Sequence, residues 1–255
     1  NEITKLDPSV AKNGIKTSSY ILREGGSYLE AYMIKYAGTD KTTGEGLYYK
    51  DVKDAKGNVT GVTTTTDMTK ATLYDLGSTL PDVYGGFGTT FKAYGFDLSA
   101  QFSFQLGGKI YDGQYQALMH NGQSAGNAMH KDLLKAWSPE NPTSNIPRLS
   151  TAASDDPGSG SQTPMDRFLT SSNYLSLNNI TLGYTLPKFI VHMMKLDNIR
   201  VYVAGENLFL LTKRKGLDPR YGIFSLQNSM TAGTGMASSS YASMRSITAG
   251  ITVSF

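Results

Sequence analysis

The sequence predicts an all-β fold, a transmembrane antiparallel β-barrel, and three observations carry that prediction. Ser246-Ile247-Thr248-Ala249-Gly250-Ile251-Thr252-Val253-Ser254-Phe255 alternates strictly, with Ile247, Ala249, Ile251, Val253 and Phe255 on one face and small polar residues on the other. This length suits a tilted membrane-crossing strand, which needs about 9–11 residues. Its apolar face fits lipid and its polar face a hydrated lumen. A second stretch repeats the pattern: Phe96, Leu98, Ala100, Phe102 and Phe104 oppose Asp97, Ser99, Gln101, Ser103 and Gln105, and the turn at 93–95 joins them to a strand over 84–92. Third, the connections alternate in length: long over 38–83, short over 93–95, long over 107–172, medium over 187–197 and long over 212–243. Barrels have this asymmetry, with short turns on the periplasmic side and long loops outside.

Composition bounds the alternatives. The chain has 24 Lys plus Arg against 21 Asp plus Glu and no basic run, so no nucleic-acid partner is expected. With no cysteine, disulfide scaffolds, thiolate metal sites and cysteine nucleophiles are excluded. The 16 Tyr and 27 Gly, with hydrophobic content of 39%, favour short strands and long polar loops over helices. No run approaches the roughly 18 apolar residues of a membrane-spanning helix. A barrel strand needs no such run, because only every second residue meets lipid. Asn1-Glu2-Ile3-Thr4-Lys5 has neither the charged region nor the apolar core of a signal peptide, so an outer-membrane location implies a missing beginning.

In chain order, residues 1–27 are polar and turn-rich, and 28–36 (Tyr-Leu-Glu-Ala-Tyr-Met-Ile-Lys-Tyr) read as the first strand. Residues 38–83 read as loop, rich in Thr, Gly, Asp and Lys. Strands over 84–92 and 96–105 form a hairpin, and 107–172 lacks sustained periodicity apart from a short helix near 113–136. The strand over 173–186 changes phase at Asn178-Asn179, the mark of a β-bulge. Strands over 199–210 and 244–255 complete the set, with Arg200 and Glu206 on the polar, lumen-facing side of the former.

Candidate sites are few. Tyr111, Tyr115 and Trp137 in the long loop offer aromatic faces to a sugar, a peptide or a covering protein, or pack the loop against itself. His120 and His130 stand ten apart, which matches no metal-ligand spacing, and His192 stands apart from both. Asp155-Asp156 runs into Pro157-Gly158-Ser159-Gly160 and reads as an acidic loop tip. No nucleophile elbow, phosphate loop or His-Glu-x-x-His is present, so no enzyme activity, metal or cofactor is expected.

Several separate motifs resemble the carboxyl-terminal part of SusC/RagA-type TonB-dependent receptors. They are Tyr84-Gly85-Gly86-Phe87, Gly95-Phe96-Asp97-Leu98-Ser99, Gln105-Leu106-Gly107-Gly108-Lys109-Ile110-Tyr111-Asp112, the run from Ser172 to Pro187, Gly205-Glu206-Asn207-Leu208-Phe209, Gly216-Leu217-Asp218-Pro219 and the last strand. The family usually places an acidic residue after the Asp-Pro, where this chain has Arg220. The resemblance implies the last strands of a plugged barrel of about 22 strands, a size class that holds a plug. It implies the outer membrane of a Bacteroidota-type Gram-negative bacterium, with the carboxyl end periplasmic and the long loops extracellular. It also implies uptake of oligosaccharides or peptides with a SusD-like lipoprotein lid, energised through TonB. The family's plug and TonB-contacting segment have no counterpart here. The alternating face that ends on Phe255 would meet outer-membrane lipid and serve as the signal for the barrel assembly machinery. Two alternatives stay open: a stand-alone translocator or adhesin barrel, and a soluble all-β glycan-binding module.

Overall fold

A computed structural model describes residues 2–11, 13–16, 19–120, 122, 126–150, 164–213, 216–220 and 243–255. In chain order its strands are β1 (Ile15–Lys16), β2 (Tyr20–Leu22), β3 (Glu30–Ile34), β4 (Tyr36–Thr39), β5 (Gly46–Lys53), β6 (Val59–Thr65) and β7 (Leu73–Ser78). They continue with β8 (Val83–Ala93), β9 (Phe96–Leu106), β10 (Lys109–Tyr111), β11 (Leu169–Ser171), β12 (Tyr174–Thr185), β13 (Asn198–Thr212) and β14 (Ser246–Ser254). Short helices are α1 (Pro8–Ala11), α2 (Gly113–Leu118) and α3 (Lys188–Met193). The chain forms two compact units. One takes the described residues of Asn1–Leu80, Gly108–Ser171 and Arg220–Ser240, and the other those of Pro81–Gly107, Ser172–Pro219 and Tyr241–Phe255.

The first unit corrects the reading of 38–83 and 107–172 as loops. Strands β1-β2-β3-β7 and β4-β5-β6 form two antiparallel sheets, and β10 pairs with β11. One buried cluster holds Ala31, Met33, Ile34, Tyr48, Tyr111, Met119, Leu133, Met165 and Phe168. The strand expected over 28–36 is also corrected. It breaks at Lys35 into β3 and β4, and β3 alternates into this core rather than joining a membrane wall. At about 3.3 Å per residue, β3 spans roughly 17 Å, too short for a bilayer's hydrocarbon layer. Asp112 caps α2 by accepting from the Tyr115 N–H at 2.9 Å.

The second unit is a five-stranded antiparallel sheet in the order β14-β13-β12-β9-β8. It is open, with β8 and β14 as edges, and forms no closed barrel among the described residues. Tyr94 and Gly95 both have positive φ (52° and 87°), the conformation of the two-residue hairpin turns whose twist matches the strands. Alternation would put the apolar residues of β12 on two different faces unless the phase were reset. The reset lies between Leu177 and Asn179, where the register shifts against both β9 and β13. On β13 the residues opposite are Asn207 and Leu208, and Asn207 takes φ 51°, a left-handed conformation that Asn tolerates. The bulge keeps Leu175 and Leu177 level with Phe104 and Phe102, while Ile180, Leu182 and Tyr184 stay level with Ala100, Leu98 and Phe96.

Candidate functional site

The two faces of the five-stranded sheet are chemically distinct. Cross-strand register aligns Phe91, Leu98, Leu182, Val203 and Ala249 in one row across all five strands. The next row holds Ala93, Phe96, Tyr184, Val201 and Ile251. Phe87 stacks on Phe102 with ring centroids 4.9 Å apart, and Phe96 lies 4.5 Å from Tyr184. This face is uncovered: Phe87, Leu182, Val203 and Ile251 are between 51% and 70% exposed. Ile247, Val253 and Phe255 are exposed as well, and Ala249 lies beside Val203. A soluble sandwich buries such a face, whereas a membrane wall presents it to lipid.

The opposite face carries Asp97, Ser99, Gln101, Ser103, Thr181, Arg200, Glu206, Thr248 and Thr252 at matching register positions. Arg200 reaches from β13 across β12 to Asp97 on β9, donating from Nε to Oδ1 at 2.9 Å and from Nη2 to Oδ2 at 2.5 Å. The strand between contributes Gly183, paired with both Asp97 and Tyr202. A Cβ there would run into the guanidinium and sit 2.6 Å from the Asp97 carboxylate. Tyr202 continues the line: its ring lies 5.2 Å from the Arg200 guanidinium and covers Gly250 on β14. Glu206 accepts from the Ser246 hydroxyl at 3.1 Å nearer the other end of β13. Ser176 and Gln105, both polar, are buried on this side, and Gln105 donates to the Ser172 hydroxyl at 2.9 Å.

Sequence reasoning singled out Arg200 and Glu206 and placed Asp97 on the polar face of its own strand, but did not link Asp97 to Arg200 or single out Gly183, Tyr202 or Gly250. The available signal was four polar-face positions of short or planar residues, but the ion pair joins residues 103 apart. The aromatic candidates fall in the first unit, where Tyr111 is buried and Tyr115 and Trp137 are partly exposed. Tyr111 is buried, edge-on to Phe168 at 6.2 Å, so it offers no face to a ligand. Burial raises its phenol pKa. Tyr115 packs on Phe168 and His130 and donates to Asp132 at 2.8 Å. Trp137 donates to the Lys41 carbonyl at 3.1 Å, and its indole lies on Gly44. These three residues stabilise the unit's fold. His120 is buried in the first unit, whereas His192 is exposed on α3. Asp155-Asp156 and most of 212–243 lie outside the described residues. Among the described residues no group of three or more His, Asp or Glu is placed to hold a metal ion.

An exposed apolar belt on one face and a polar, ion-paired face on the other are the two chemistries a membrane-barrel wall requires. No protein-family model matches the chain. It is 29% identical to TonB-dependent receptor P3 of Formosa agariphila over 182 residues, covering 71% of this chain and 17% of that protein. It is 29% identical to TonB-dependent receptor P26 of the same organism, covering 71% and 18%. The chain thus spans about a sixth of the length of the curated relatives it matches. Among solved structures, the RagAB peptide importer in its closed-closed state matches the whole chain with a TM-score of 0.75 and 28% identity, over 26% of that chain. The open-open state matches with a TM-score of 0.69 and 26% identity, over 25% of that chain. Over most of its length the chain is thus similar to TonB-dependent receptors. It is also similar to RagA, the SusC-type component of the RagAB peptide importer.

Proposed function

We propose that this chain forms the carboxyl-terminal part of the wall and outer loops of a TonB-dependent importer in a Gram-negative outer membrane. The observation that carries this reading is the apolar belt running in register across β8, β9, β12, β13 and β14, uncovered on one face and backed by the Asp97–Arg200 pair on the other. In this reading the polar face lines the lumen, where Arg200 and Glu206 meet water, plug or passing solute. The carboxyl end and the turn at Tyr94-Gly95 lie on the periplasmic side, and the first unit stands outside the membrane as folded extracellular loops.

The likeness to the RagAB importer supports oligopeptides as cargo, with oligosaccharides as the alternative, and a SusD-like surface lipoprotein as lid. TonB would act through a plug outside this chain, and Ile247, Ala249, Ile251, Val253 and Phe255 would meet lipid and the barrel assembly machinery. The test is affinity purification, from detergent-extracted outer membranes, of the native polypeptide that contains this chain. The expected result is a band several-fold heavier than 27.6 kDa accompanied by a lipoprotein, and loss of peptide or oligosaccharide uptake when its gene is deleted. Recovery of a 27.6 kDa species from the aqueous fraction would overturn the reading.

A further inference from the structure

The connection between β12 and β13 is more than a turn. Its helix α3 leaves Phe189 70%, Met193 82% and Met194 58% exposed, while Val191 alone is buried, at 1%. At 100° per residue, Phe189, Ile190, Met193 and Met194 share one arc of about 140°, and Lys188 and His192 fall on the remaining face, Lys188 nearly opposite the arc's centre. Lys195, with φ 58°, ends the helix and adds a second exposed lysine. The segment is held in place at both ends. Leu186 donates to the Ile199 carbonyl at 2.9 Å, Leu196 to the Val191 carbonyl at 3.2 Å, and Asp197 to the Ser254 carbonyl at 2.9 Å. The exposed apolar arc is therefore a rigid feature of the sheet's end.

The same end presents two further uncovered aromatic rings, Tyr94 at 99% exposed and Phe255 at 94%. It also continues the apolar belt, because Ile199 pairs with Val253 one step from the connection. We infer that α3 is an interfacial anchor: Phe189, Met193 and Met194 enter the headgroup–acyl boundary of the periplasm-side leaflet, and Lys188 and Lys195 bind the phosphates of anionic phospholipid. The inference rests on the membrane-wall reading. An apolar arc with a lysine on the opposite face and another just past the helix end is the pattern of helices that lie in that boundary. Lysine stems reach along apolar surface while their ammonium groups stay at the phosphates. The continuity with the belt and the two lysines select a lipid surface over a protein partner, whose interface cores are depleted of lysine.

Photocrosslinking in the intact receptor tests this. Benzoylphenylalanine is placed singly at Phe189, at Met193, at Val203 in the apolar belt and at Thr181 on the polar face. Folded protein in vesicles of phosphatidylglycerol and phosphatidylcholine is irradiated, and adducts are identified by mass. The expected result is phospholipid adducts at 189, 193 and 203 but not at 181. At 189 and 193 phosphatidylglycerol should be enriched, and Lys188→Glu with Lys195→Glu should cut that enrichment by roughly fivefold per lysine. Lipid at 203 with none at 189 and 193, or with protein adducts there in whole outer membranes, would overturn the anchor and leave the wall standing. No lipid at 203 would overturn the wall reading, and the anchor with it.

Discussion

At the scale of single residues, the polar face depends on a line of side chains that crosses three strands. Asp97→Ala should lower stability, since it leaves the Arg200 guanidinium without its acceptor. Removing both partners should cost less than the sum of the two single changes, as unfolding of the solubilised receptor in a double-mutant cycle would show. Gly183→Val should have the effect of Asp97→Ala, because its side chain would occupy the path of the guanidinium. In the first unit, Asp166 accepts from the Tyr36 N–H at 2.8 Å, and burial raises its carboxyl pKa. A raised folded pKa means that this group's contribution is fully present below the unfolded value. It is lost as pH rises through the folded value. Asp166→Asn keeps an acceptor without the charge, so its thermal midpoint relative to the parent should rise between pH 4 and pH 8. Arg200 and Asp97 were each legible as polar-face residues from alternation within their own strands, but their pairing was not, because a contact across 103 residues has no local signature.

At the scale of elements, the long strands were legible and their bulge with them. Val83–Ala93, Phe96–Leu106, Asn198–Thr212 and Ser246–Ser254 each carry period two over nine or more residues, and in Tyr174–Thr185 the slip at Asn178-Asn179 shows directly as a break in that period. The element that escaped notice is α3, whose six residues are too few for a helical period to stand out from a turn. Two substitutions test the strand account. Val203 lies beside Ala249 near the middle of β14, so Val203→Arg should cost about 2–4 kcal/mol in a bilayer, while Ala204→Arg on the other face should cost little. Refolding yield into lipid vesicles measures both. Asn207→Gly should be neutral and Asn207→Val should lose about 1–2 kcal/mol, since a β-branched residue resists the left-handed conformation the bulge requires.

At the scale of the whole chain, the two units obey different rules, and that explains what sequence alone could reveal. The five-stranded sheet is specified by alternation, which local reading detects. The first unit is specified by tyrosines, methionines and single aliphatic residues scattered from Ala31 to Phe168, which meet in one core without any common period. Tyr111, Tyr115 and Trp137 were conspicuous for their rings; Tyr111 is buried in the core, while Tyr115 and Trp137 pack on neighbours and stay partly exposed, an arrangement no local pattern reveals. The central claim is that one face of the sheet meets lipid and the other water. Because the chain contains no cysteine, single cysteines can be placed at each position from 246 to 254, in a receptor otherwise free of cysteine, and probed in intact outer membranes with a water-soluble and a lipid-soluble maleimide. The account predicts period-two labelling: 247, 249, 251 and 253 react with the lipid-soluble reagent, and 248, 250 and 252 with the water-soluble one. Uniform reaction with the water-soluble reagent along the whole strand would contradict it.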